Sequence, residues 1–179
     1  MIQLRMSVEQ QGLVAKYLEE APKKVQRAAY MAVKRTVTRV RKNLAKQARA
    51  EYTVKSGNVK RALTVSNPSY GNLLATITAT GRQLPLAAFV VRRPVNGPMK
   101  VQVIRSGGLK PVKGLFQNDA AGFSGPMHRR QPARFPLHTP GGPSVPQMVE
   151  SHAVIDEVEK DGEQFLAARF EHELAWRFK

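Results

Sequence analysis

The densest chemistry in this chain is cationic. Between Ala21 and Ala50 stand ten basic side chains and no acidic one. Ammonium and guanidinium groups at that density hold phosphates or carboxylates; they do not by themselves make or break bonds. With no acid on the same segment, i,i+4 ion pairs cannot neutralise them. They must meet solvent, a polyanion, or acids from elsewhere. Lys34, Arg35, Arg39, Arg41, Lys42, Lys46 and Arg49 are the candidate functional face. They would border duplex DNA through phosphate contacts that carry no sequence information, or meet an acidic helix of a neighbouring subunit. The plainer reading is the solvated back of a core helix, which explains the charge bias only in part.

Residue types that do covalent or metal chemistry are sparse. His128, His138, His152 and His172 show no H-x-x-x-H or H-E-x-x-H spacing, so a zinc site lacks support. Asp119 is the sole acid between Glu51 and Glu150, whereas two-metal hydrolysis needs clustered carboxylates. Gly81-Arg82-Gln83 and Gly107-Gly108 do not form a phosphate-binding loop, and Gly122-Phe123-Ser124-Gly125 lacks the nucleophile-elbow spacing. There is no cysteine, which excludes disulfides and thiolate chemistry. The expectation is a protein that is not an enzyme and needs no cofactor or metal.

Charge is also divided along the chain. Residues 1–149 carry 25 basic and 5 acidic side chains, and residues 150–179 carry 4 and 8. A positive body with a negative tail can pair within one molecule or between neighbours. With 179 residues and 42% hydrophobic composition, one ordinary domain with a real core is expected. No run of about 18 apolar residues suggests a membrane span, and Met1–Met6 does not look like a signal peptide.

The elements that must position these groups read as α+β. Ile2, Leu4 and Met6 alternate as a short strand, and Ser7 with Gln10 opens a helix over about Val8–Glu20. From Lys23 to about Glu51, apolar residues from Val25 through Val33, Val37, Val40 and Leu44 to Ala48 recur at spacings of three and four, which predicts one long helix. A short helix over about Gly57–Ala62 passes into a strand at Leu63–Ser66. Leu73–Thr80, Ala88–Arg92 and Met99–Ile104 are strand candidates, antiparallel because their connections are too short for crossover helices. Pro85 places Leu84–Leu86 on an edge or outside the sheet. Residues 105–146, punctuated by Gly and Pro, read as an extended loop or arm that orders on a partner, anchored by Phe116, Phe123 and Phe135. Residues 147–179 read as a C-terminal helical segment with a break expected at Gly162, and with Phe165, Leu166, Ala168, Phe170, Leu174 and Phe178 as its buried candidates.

A second group of candidate residues lies at the end of the Gly/Pro-rich stretch. Arg134-Phe135-Pro136-Leu137 is followed by Gly142, Pro143, Ser144, Val145, Pro146, Gln147 and Met148. Pro143 and Pro146 fix φ, and Ser144 can cap a helix whose first turn accepts Pro146. A rigid helix start accounts for the run locally, and an intersubunit contact is the sharper reading. Together with the basic helix running into Val59–Val65, the Gly81–Leu86 segment and the closing Phe170–Leu174 helix, this run resembles prophage minor tail protein Z. The likeness covers nearly the whole chain in order and departs from the family at Pro140-Gly141, where a Leu-Tyr or similar pair is usual.

That resemblance implies a structural protein of a long-tailed bacteriophage virion, completing the head-proximal end of the tail and helping to join head and tail. Its implied partners are copies of itself in a ring, by analogy hexameric, around the DNA channel. Tail terminator, tail tube or head–tail connector proteins would follow, with non-specific contact to genomic double-stranded DNA and no membrane. It implies location in the virion neck, and in the host cytoplasm during assembly. The alternative is a basic DNA-binding or packaging-associated protein, which the absence of a groove-reading motif disfavours.

Overall fold

The computed structural model describes residues 22–119 and 124–179. The expected N-terminal strand and first helix, and Phe123, lie outside the described residues. The fold is mixed α+β, with a long helix near the N-terminus, small antiparallel sheets and a C-terminal helix. The described residues form two compact units, the first containing residues 22–44, 63–79 and 152–179 and the second residues 45–62, 80–119 and 124–151.

The long helix α1 spans Pro22–Glu51, and its first part belongs to the first unit. At 1.5 Å per residue it is about 45 Å long. Its buried positions Ala28, Ala32, Thr36, Val40, Leu44 and Ala48 follow one i,i+4 row, joined by Val25 and Val37. The expected stripe is observed, although Ala29 and Val33 are only partly buried. The C-terminal helix α4, His152–Arg177, repeats the device with Val154, Val158, Gly162, Leu166, Phe170 and Leu174. Val25, Ala28 and Ala32 of α1 pack with Leu166, Phe170 and Leu174 of α4, small residues on one helix against large ones on the other. Gly162 does not break α4, because it lies within this buried row, where the lack of a side chain is compatible with packing. Ala168, an expected core residue, is exposed, and Phe165 is half-buried. β1 (Leu63–Ser66) and β2 (Thr76–Ala79) complete this unit as an antiparallel pair. Leu63 and Ile77 are buried while Thr64 and Thr78 are exposed, as period-two alternation requires. The strand expected over Leu73–Thr80 is therefore shorter, and Leu73 and Leu74 are exposed.

The second unit contains the end of α1, the short helix α2 (Ser56–Ala62) and three small antiparallel sheets. β3 (Gln83–Pro85) pairs with β10 (Gly141–Ser144). A 3₁₀ turn over Leu86–Ala88 leads to β4 (Val90–Arg92), which pairs with β5 (Lys100–Gln102), and β5 pairs in turn with β6 (Lys110–Pro111). Pro85 sits in a two-stranded sheet, both of whose strands are edges, as its missing N–H demands. β7 (Phe116–Asn118), β8 (Gly125–Arg129) and β9 (Leu137–His138) form the third sheet. Thr53, which is buried, knits the unit together. Its amide donates to the Val103 carbonyl at 2.9 Å, its hydroxyl donates to the Gln102 carbonyl, and the Val90 amide donates to that hydroxyl at 3.3 Å.

Residues 105–146 thus carry five short strands where an extended loop or arm is expected. Strands of two to five residues containing Gly and Pro are too short to show an alternating pattern. Phe116 is half-buried beneath the Arg129 guanidinium, 4.6 Å from its ring centroid, but Phe135 is 65% exposed and anchors nothing within the unit.

Candidate functional site

The basic face of α1 separates into two kinds of residue. In the first unit, Arg35 and Arg39 turn to acids of α4. Arg39 grips Asp161 with two hydrogen bonds, Nε to Oδ2 at 2.9 Å and Nη2 to Oδ1 at 2.7 Å, and lies 4.4 Å from the Phe165 ring centroid. Asn43 donates to the same carboxylate. The hydrogen bond to Asp161, together with that carboxylate's charge, holds Arg39 above its usual range; desolvation opposes the shift without reversing it. The negative tail therefore meets part of the positive body within one molecule, one of the two pairings the divided charge allows. Lys34, Arg41 and Lys42 remain exposed in this unit. Lys34 reaches back to Tyr30, its Nζ 3.5 Å from the hydroxyl. Lys46 and Arg49 belong to the second unit and are exposed; the Arg49 carbonyl accepts a 2.7 Å bond from Arg105 Nε.

Arg35 enters a denser arrangement. Glu173, whose side chain is 6% exposed, accepts from Arg35 at 3.0 Å and from Arg169 at 2.8 Å on Oε1, and from Arg177 on Oε2. Three guanidiniums around one carboxylate leave a local excess of two positive charges. Arg169 Nε is buried and has no protein partner. The sequence shows Arg169, Glu173 and Arg177 at i,i+4 spacing, which places them on one face of α4, but Arg35 joins them only through tertiary packing.

The motif run lies in the second unit and is used residue by residue. Gly142 backs onto the buried ring of Phe89; a Cβ there would stand 2.6 Å from Phe89 Cε2. Pro143 is half-buried. Ser144 is the N-cap of α3, Val145–Val149, in a full capping box. Its amide donates to Gln147 Oε1 at 2.9 Å, and the Gln147 amide donates to Ser144 Oγ at 3.4 Å. Pro146 stands in the first turn, where no amide hydrogen is needed. Val145 and Met148 are buried, and α3 packs beside α2. The local reading of this run as a rigid helix start is the geometry observed. The preceding Phe135–Pro136 bond is cis.

His128 and His138, ten positions apart in sequence, are direct cross-strand partners in β8 and β9, with ring centroids 5.9 Å apart. Linear spacing hides that pairing. Among the described residues no group of three or more His, Asp or Glu side chains is placed to hold a metal ion. No helix among them is long and apolar enough to cross a membrane. Sequence reasoning also passed over Trp176, the chain's single tryptophan, which is 68% exposed beside Arg177.

Comparisons of the chain with protein-family models, with curated proteins and with solved structures found no match. The likeness to minor tail protein Z rests on the residues quoted for it.

Proposed function

We propose that this chain is a non-enzymatic structural protein of a long-tailed bacteriophage virion, of the minor tail protein Z type. It completes the head-proximal end of the tail and helps join head to tail as a ring of copies around the DNA channel. The observation that carries the reading is the Gly142–Met148 run, in order with the other resembling segments. The geometry is compatible with an assembly role: a capping box and a buried Val145/Met148 pair make this run a stiff fixture, suited to holding neighbouring surface in place. The exposed cations Lys34, Arg41 and Lys42 suit a neighbour that is a polyanion, whatever its sequence.

Disrupting the coding sequence in a phage that carries it tests the proposal. Electron microscopy of the lysate should show full heads and separate tails, with infectious titre lost. Joined, infectious particles at normal titre would refute it.

The charge excess favours a second reading, a basic DNA-binding or packaging-associated protein. That protein would retain duplex DNA only at low salt, since each phosphate contact releases counterions. A tail-joining protein should instead stay bound to a tail or connector protein as salt rises.

A further inference from the structure

Two adjoining hollows in the first unit share Trp176 and Arg177. The larger encloses about 860 Å³ and is lined by Lys23, Lys24, Arg27 and Tyr70 besides the shared pair. The smaller encloses about 330 Å³ and contains Arg35, Arg169 and Glu173. Among the described residues that line them, Glu173 is the only carboxylate, against six lysine and arginine side chains. It already serves three of those cations, and Arg169 still has a buried Nε without a protein partner. The described lining therefore carries more positive charge than Glu173 neutralises, and it is concave, which focuses the field.

Flat aromatic surface accompanies the charge. Trp176 is 68% exposed and Tyr70 50% exposed, with Tyr70 stacked on Tyr30 at 4.4 Å between centroids. Exposed rings among cations, Trp176 with the Arg177 guanidinium 5.3 Å from its ring centroid, suit a ligand that brings both anionic groups and flat apolar faces. An acidic peptide brings carboxylates without an obligatory planar group. A duplex brings phosphates but keeps its base faces stacked inside. A single strand of nucleic acid offers one phosphate and one free base face at every step.

We propose that the Trp176 hollows bind single-stranded nucleic acid, with Lys23, Lys24, Arg27 and the arginines around Glu173 on phosphates and Trp176 under a base. The site does not depend on ring formation or on a place in the virion. A chain that joins no tail can still bind an oligonucleotide, and the reverse.

Because Trp176 is the only tryptophan, its fluorescence reports this site alone. Titrating the full chain with a short oligothymidylate should quench most of that emission. If four phosphates are engaged, raising salt from 50 to 200 mM should weaken binding about fifty-fold. By anisotropy of a labelled oligonucleotide, Trp176→Ala should weaken binding at least about five-fold through lost stacking. Lys23→Gln with Lys24→Gln should also weaken it and flatten the salt dependence, while Lys110→Gln with Lys113→Gln in the second unit should not. Failure to bind the oligonucleotide overturns the site. Binding without quenching, a duplex held as tightly as the single strand, or equal quenching by polyglutamate overturns it as well.

Discussion

Glu173 shows how a single side chain sets the stability of its surroundings. Its carboxylate is nearly removed from water and serves three guanidiniums that are themselves partly exposed. Removing the shared partner leaves like charges crowded together, and breaking buried pairs costs about 3–5 kcal/mol. Solvent reaches the arginines, so Glu173→Gln should cost about 2–3 kcal/mol, read from chemical denaturation. An unchanged midpoint would mean the three arginines do not depend on it. Gly142 is governed by space instead of charge. Gly142→Ala forces a methyl into the Phe89 ring and should destabilise by about 1–3 kcal/mol; a neutral result would show that Phe89 moves aside freely. Asp119 carries a pH signature. Hydrogen bonds from Ser124 and Gln117, with Arg93 nearby, hold its carboxyl below the usual carboxylate range. A depressed folded value means the contribution is present above the unfolded value and is lost as pH falls through the folded one. Carboxyl resonances followed by NMR should give Asp119 a midpoint below the ordinary aspartate range, and Ser124→Ala should raise it.

At the scale of elements, what could be read from the sequence depended on length and period. α1 was legible almost to the residue, because 30 residues give the apolar row many turns to repeat. β1 was legible because Leu63–Ser66 sits between a helix and the Asn67-Pro68 turn. β6 and β9 were not, since two-residue strands hold no period and are defined by their partners. Gly162 misleads for a related reason: a glycine's helix cost is local, while its burial in the α4 row is tertiary. The candidate site was legible as a set of cations, but not in its division. Arg39 and Asp161 lie 122 positions apart, so their pairing is invisible along the chain. The Ser144 cap of α3 was legible because it is local in sequence, whereas the reciprocal bond from the Ser144 amide to Gln147 emerged only from the structure. Ser144→Ala should cost about 1 kcal/mol by loss of that cap. A cost near zero in denaturation would show that Gln147 and Pro146 hold the helix start unaided.

At the scale of the whole molecule, one unit carries a stiff motif run and the other a positively charged surface. Neither property requires catalysis, and both suit a part that is held between larger neighbours. The divided charge is partly consumed within the first unit by Arg35 and Arg39, so the proposed assembly would draw on the cations that stay exposed. The central claim is self-assembly around a channel, and its most direct test is the mass of the full chain by light scattering, with negative-stain images of the same peak. The account predicts rings of several copies with a central opening of about 20 Å or more, wide enough for a B-form duplex, persisting as salt is raised. A monomer at every concentration and salt tried, with no ring in the images, would contradict it.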